Sequence, residues 1–527
     1  MTTQTIFTTL ILTAASLSAQ PFPINPIQIP TGLVGPRVLR VAFMGDSFAA
    51  GEGSPNLTGD KWNNPHPACH NSDENGRSAA ARRIQTALGS TTNLLGRRLE
   101  FIDVACSGAT INGSILGENY RGPTPLTPSG PGPVGPPIPS QVSQVRQWLN
   151  GNELDLLVIS VGGNDIGFGE IVAKCMTPLT SCENDAALET LIRRGKQGNT
   201  EFVGLDFLAG AYTTMKTRID ADLKPKAVAV IGVPNPVRDQ DNRYCHRFED
   251  GVGILPSNLL DPFTHPFVQM VGISTIGTLS PVEVDRGESE WLEATVINPL
   301  NAKLEQIASN FGTSNWSFVN LNYMTKLHGI CSSDAWFNTF KTSLATQGDF
   351  NGIAHPKRAG YKVYEAFTFR LLARHFNVQV SAAPRIDNEN IHLTYSINGD
   401  TKIMPPSEYN LNPDRVFVGN NFSVRFRSLV FPSPDVTTSL TLQISRKPFA
   451  DSTAADISNF NMDISSQTLG NFARNVNVSN MADETILHAR WRIVTRPFYS
   501  TSAPTTTNFS GTTRVKVRDG FNSARKL

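Results

Sequence analysis

Five short apolar runs, at 38–43, 99–105, 154–161, 227–233 and 316–321, are separated by stretches of helical spacing that include 141–149, 205–223, 291–311 and 359–376. This alternation restricts the fold more than any other feature of the chain. A strand that is apolar throughout has to be covered on both faces, and such strands interleaved with helices are the pattern of a parallel sheet between two helical layers. An α/β domain is therefore predicted over 38–376, its sheet mostly parallel. Ligands of such sheets sit beyond the carboxyl ends of the strands.

Beyond residue 378 the pattern changes. Short alternating runs at 391–397, 416–426, 439–445, 486–494 and 513–517 lie between Asn, Pro, Ser and Gly residues, which predicts a smaller antiparallel β-sandwich domain over 380–527. The basic, polar end at 518–527 reads as a solvated tail. Residues 121–140 are so rich in Pro and Gly that neither a helix nor an interior strand is expected there. That segment is predicted to be a surface loop, either bordering the active cleft with Leu126 or serving as a connector.

The first 19 residues have a polar start, an apolar stretch and then small residues, the layout of a cleaved signal peptide, although they contain no Lys or Arg. No other stretch approaches the ~20 apolar residues of a membrane span. An even set of cysteines, Cys69, Cys106, Cys175, Cys182, Cys245 and Cys331, fits an oxidising, extracellular compartment. Many connectivities are open to it. Pairing of sequence neighbours, Cys69 with Cys106, Cys175 with Cys182 and Cys245 with Cys331, is the working expectation. The 46 Lys and Arg residues balance 45 Asp and Glu residues, so the protein has no overall field to gather nucleic acid. No metal or other cofactor is expected either. His66, His70, Asp73 and Glu74 lie in a polar, turn-like stretch that reads as a solvated loop.

The first apolar run leads into Gly45-Asp46-Ser47 and then into small residues that open a helix. A serine placed there presents its hydroxyl at a strand end and its N–H near a helix N-terminus, which favours negative charge. Three more blocks occur in order. Ala105-Cys106-Ser107-Gly108-Ala109-Thr110 follows the second run, Ser160-Val161-Gly162-Gly163-Asn164-Asp165 ends the third, and His355-Pro356-Lys357-Arg358-Ala359-Gly360-Tyr361 opens the last helix.

In these four blocks the sequence resembles the SGNH (GDSL-like) hydrolases. The resemblance spans about 38–375 and implies a flavodoxin-like three-layer fold with carboxylic ester hydrolase activity. It implies that Ser47 is the nucleophile, that His355 is its general base, and that the N–H groups of Ser47 and Gly108 with the side-chain amide of Asn164 form the oxyanion hole. The placing of the first four cysteines is similar to the secreted bacterial lipase, phospholipase and esterase branch. The chain departs from the family at one position: many members have an Asp three residues before the His, where this chain has Gly352. A main-chain carbonyl of Gly352 or Ile353 is then expected to orient His355, with Asp334 and Asp349 as candidates for a displaced third member.

The expected substrate is an ester, either a lipid acyl chain or an acetylated glycan. A lipase would need an apolar channel, for which Phe168, Trp148 and Leu126 are candidates. A glycan esterase would use the C-terminal domain to hold polysaccharide. The alternative class is a catalytically inactive glycan- or cell-wall-binding protein. Intact Ser47, Asn164 and His355 argue against it.

Overall fold

In the computed structural model the described residues are 37–519 apart from 64, 90–95, 119, 123–125, 128–129, 132–134, 176–180, 197–201, 240–241, 246–284, 312–314, 326–327, 333–334, 377, 379–385, 398–399, 404–415, 419–421, 431–435, 463–470, 479–480, 483–484 and 497–504. Residues 1–19, expected to be a signal peptide, Asp334 and the tail beyond 519 lie outside them.

The apolar runs form β1 (Val38–Gly45), β2 (Arg98–Asp103), β3 (Leu156–Ser160), β4 (Val228–Ile231) and β5 (Trp316–Val319). They pair in parallel in the order β2-β1-β3-β4-β5, the flavodoxin-like order, with its reversal at β1/β3. Alternate side chains serve opposite layers, as the period-2 geometry of a strand requires. Val41 and Phe43 pack with helices α2 (Arg77–Gly89) and α8 (Arg358–His375) on one face. Ala42 and Met44 pack with α3 (Gln141–Leu149), α5 (Gly204–Asp222) and α6 (Asn298–Asn310) on the other. The remaining helices near the site are α1 (Ser47–Ala50), α4 (Phe168–Cys175) and α7 (Phe340–Gln347).

Three disulfides join Cys69 to Cys106, Cys175 to Cys182 and Cys245 to Cys331. The Pro-rich segment contains a two-residue ribbon that pairs Leu126 with Pro131 and Thr127 with Gly130. The side chain of Leu126 lies outside the described residues. No helix among the described residues is long and apolar enough to cross a membrane.

The C-terminal region is a sandwich of two sheets. One has β6 (Ile386–Ile397), β7 (Asp400–Ile403), β9 (Phe422–Val430) and β12 (Asn471–Asn477) in the order β12-β9-β6-β7. The other has β8 (Val416–Val418), β10 (Val436–Ser445), β11 (Ile457–Asn461), β13 (Ile486–Arg496), β14 (Thr506–Phe509) and β15 (Thr513–Asp519), ordered β8-β15-β13-β10-β11 with β14 on β13. Val424, Phe426 and Phe472 from the first sheet meet Leu442, Trp491 and Val515 from the second in one core. All pairings are antiparallel except β8 with β15, which is parallel. Strands β7, β11, β12 and β14 add to those expected, and the predicted run 416–426 divides into β8 and β9.

Candidate active site

The sequence blocks meet at the carboxyl edge of β2, β1 and β3. Gly45 ends β1 with φ +145°, and a Cβ there would lie 2.1 Å from the Ser160 carbonyl oxygen, so only glycine lets the two strand ends touch. Gln141 clamps the same residue, accepting from its N–H and donating to its carbonyl, each at 2.8 Å. Asp46 caps α1 by accepting the N–H of Phe48 at 3.1 Å. Burial pushes the Asp46 carboxyl up to about 7, against the pull of backbone donors and Arg77. Ser47 is the first residue of α1, where an N–H has no intrahelical acceptor.

Ser47 Oγ–H donates to Nε2 of His355 across 2.7 Å. The opposite ring nitrogen, Nδ1, lies 3.0 Å from the carbonyl oxygen of Ile353. A carbonyl only accepts, so the proton sits on Nδ1 and Nε2 presents its lone pair to the serine. The 308-residue separation between the two groups is bridged because both stand at the same sheet edge. The residue before His355, Ala354, has φ +60°, a left-handed conformation uncommon for alanine. It is held by its N–H on the Asn338 carbonyl at 2.9 Å. Burial lowers the His355 pKa below the usual 6.5, partly offset by Glu52 and the Ile353 carbonyl.

Gly108 turns the loop after β2 with φ +74°. One N–H of the Asn164 amide donates to Ala109 O at 3.0 Å, and Asp165 Oδ1 accepts the N–H of Ile111 at 3.0 Å, so the third block is tied to the second. Asp349 is buried, and its carboxylate accepts from the Gln347 amide and from the N–H of Asn351 at 3.0 Å. The acceptor on His355 Nδ1 is Ile353 O.

On one side of the Ser47–His355 pair lies an apolar pocket of about 780 Å³, its open mouth included. Phe48 and Phe168 flank the imidazole, with ring centroids 4.7 and 5.7 Å away, and line the pocket with Ala354. Its opposite wall is Leu292, Val296, Ile297 and Leu300, from a π-helical segment and the start of α6. Among the described lining residues Ser289 alone carries a hydroxyl, and that hydroxyl donates to Cys245 O at 2.8 Å. Trp148, a candidate for this channel, packs against the core around α3 instead.

On the other side lies a polar cluster, where the composition of the stretch predicts a solvated loop. His70, Asn71, Ser72, Asn75 and Arg77 are all buried. The guanidinium of Arg77 donates to Met44 O at 3.1 Å, to Ala49 O at 2.5 Å and to Asp103 at 3.1 Å, tying β1, α1 and the end of β2 together. His70 stacks on Trp62 at 4.5 Å between centroids and reaches Glu52 with Nδ1 at 2.9 Å. Sequence composition hid these residues, because the stretch has few apolar side chains to mark it as buried.

A parallel sheet of this order, with the Gly-Asp-Ser, Gly and Asn blocks at three adjacent strand ends, is the architecture of an SGNH hydrolase. The chain belongs to the GDSL-like lipase/acylhydrolase family, whose model matches residues 43–363, so its class is that of an esterase-type hydrolase. Among solved structures it is similar to an extracellular lipase from Streptomyces rimosus, at 18% identity over 62% of this chain and 97% of that one, TM-score 0.38. It is also similar to a carbohydrate esterase family 2 enzyme with a carbohydrate-binding domain from Corynascus thermopiles (Myceliophthora fergusii), at 12% identity over 66% and 69%, TM-score 0.29. A third is an aryl esterase of M. smegmatis, at 14% identity over 64% and 99%, TM-score 0.29. Comparison with curated proteins returns no match.

Proposed function

We propose that the protein is a secreted hydrolase of lipid acyl esters, with a signal peptide at 1–19, a catalytic domain at 38–376 and a C-terminal domain at 380–527. The observation that carries this reading is the 2.7 Å Ser47–His355 contact at the edge of an apolar pocket. Ser47 Oγ attacks the ester carbonyl as its proton passes to Nε2 of His355. The carbonyl π pair moves onto oxygen, and the N–H groups of Ser47 and Gly108 with the second N–H of Asn164 receive that charge. Collapse breaks the C–O bond to the alcohol, which leaves with the proton from Nε2, and the acyl group stays on Ser47. Water then repeats the sequence and releases the acid.

The pocket favours a fatty acyl chain over an acetyl group, because every methylene buried in it contributes about 0.8 kcal/mol and its described lining is apolar apart from Ser289, whose hydroxyl is engaged. Polysaccharide is a secondary candidate, through the sandwich. There the Arg490 guanidinium sits 4.0 Å from the rings of both Phe449 and Phe509.

The test is a chain-length profile on p-nitrophenyl esters, phospholipids and acetylated xylan, together with fluorophosphonate labelling of wild type and Ser47→Ala. Labelling confined to wild type and rates that rise with chain length are expected. Preference for acetylated xylan would move the substrate to glycans, and an unlabelled Ser47 would leave a binding protein.

A further inference from the structure

Three loops that carry the proposed catalytic groups converge on one buried carboxylate. Glu52 follows Ser47 by one turn, and its N–H donates to Ser47 O at 3.2 Å. Its side chain is 1% exposed. Ser107, the neighbour of Gly108, donates its hydroxyl to Oε2 of Glu52, and Gln347, at the end of α7, donates Nε2 to Oε1 at 2.6 Å. His70 completes the set with Nδ1 at 2.9 Å. The next residue reaches the histidine loop directly. Gly53 N–H donates to Gln347 Oε1 at 2.8 Å, and Asn338 Nδ2 bridges Gly53 O at 3.1 Å and His355 O at 3.3 Å. A Cβ on Gly53 would stand 3.3 Å from Cβ of His355.

A carboxylate buried this deeply is costly unless its lone pairs and its charge are answered. Here both are, and the imidazole it lies near lacks a carboxylate of its own. Ile353 O fixes the His355 tautomer but brings only a dipole. We propose that Glu52 is a positioning residue for acyl transfer: it ties the Ser47, Gly108 and His355 loops together and supplies the negative charge toward which His355 becomes imidazolium. The inference rests on the hydrolase reading above.

Burial raises the Glu52 pKa, but His70 and the Ser107 donor outweigh it and hold the group at about 2, so it stays ionised wherever the enzyme works. Burial likewise opposes the charge on His70, and Glu52 reverses that. The other ionisable groups around the cluster are Asp349, which shares the Gln347 amide with Glu52, and Lys61, which donates to Gln347 O. Beneath Ser47 stand Asp46, Arg77 and Tyr361, whose hydroxyl reaches Glu52 O at 3.1 Å.

The test is the pH profile of Glu52→Gln, Glu52→Asp and wild type on a soluble ester. His355 must be neutral to act as a base, so kcat/KM rises with pH through its pKa. Removing the Glu52 charge lowers that pKa further. In Glu52→Gln the acid limb is expected to move down by about one pH unit, and kcat to fall about tenfold or more at unchanged KM. Glu52→Asp is expected to restore the limb. Glu52→Gln leaves His70 without its counter-charge, so the double variant Glu52→Gln/His70→Asn, with two neutral amides, is measured beside it and is expected to move in the same direction. Folded variants with a wild-type limb, or losses that track Tm alone, overturn the inference while a labelled, active wild type keeps the hydrolase reading. An unlabelled, inactive wild type overturns both.

Discussion

The two flanks of the Ser47–His355 pair are built from opposite materials. On one flank, Glu52, His70, Arg77 and Gln347 are buried polar groups that, with the half-buried Asp103, answer one another by hydrogen bonds. On the other, Phe48, Phe168, Leu292, Val296, Ile297 and Leu300 form an apolar wall. Hydrogen bonds are directional and hold atoms in place, whereas apolar contact is non-directional and scales with area. The first flank therefore suits orientation of the reacting groups, and the second suits a measure of how much hydrocarbon a substrate brings. Changes on the polar flank should lower turnover on every ester, and changes on the apolar flank should alter the ranking among esters.

The largest effect belongs to the pair itself. Ser47→Ala is expected to lose on the order of 10⁴-fold or more in kcat with little change in Tm. Active-site titration with a fluorophosphonate and thermal melts on the same sample check this. Residual turnover within tenfold of wild type would place the nucleophile elsewhere. Next comes Asn164→Ala, which removes one of the proposed donors to the developing oxyanion. It is expected to cost about 100- to 1000-fold in kcat, equally for acetyl and long-chain esters. A loss confined to long chains would assign Asn164 to the apolar flank and break the comparison. On that flank, Leu292→Trp narrows the pocket. The ratio of long-chain to acetyl kcat/KM is expected to drop about tenfold, the value of roughly two buried methylenes. An unchanged ratio would mean that the acyl chain lies outside this pocket.

The two flanks were unequally legible in the sequence. Continuous apolar runs mark buried parallel strands, so β1 to β5 and the blocks at their ends could be read directly. The sandwich was read in part, since β11 (ISNFN) and β12 (NFARNVN) carry too many Asn residues to show alternation. Phe168 could be picked out as a pocket residue, but the wall at 292–297 reads as ordinary helix, and neither its π-helical geometry nor its place on the pocket has a signature in composition. The polar flank was the least legible. Composition treats Glu, His, Asn and Arg as surface residues, and whether they satisfy one another depends on contacts such as Glu52 with Gln347, 295 residues apart. The group on His355 Nδ1 was legible only as a choice: the Gly352 in place of an Asp points to a main-chain carbonyl of Gly352 or Ile353, with Asp334 and Asp349 beside it, and Nδ1 lies 3.0 Å from the Ile353 carbonyl oxygen.

The smallest effect reads the balance of the two flanks on a single group. Burial against Phe48 and Phe168 disfavours a charged imidazole, while Glu52 and Ile353 O favour one, and burial prevails, so the His355 pKa lies below the usual 6.5. A base whose pKa is lowered stays neutral to lower pH. The acid limb of kcat/KM should accordingly fall below pH 6.5, and at that pH the enzyme should retain more than half of its plateau activity, where an unperturbed histidine would retain half. The difference is at most about twofold, yet its sign is decisive. A limb above 6.5 would mean that the polar flank governs the charge on His355. In that case Phe168→Asn, which lets water reach the ring, would leave the limb where it is. If the apolar flank governs, the same substitution moves the limb upward toward the ordinary histidine value.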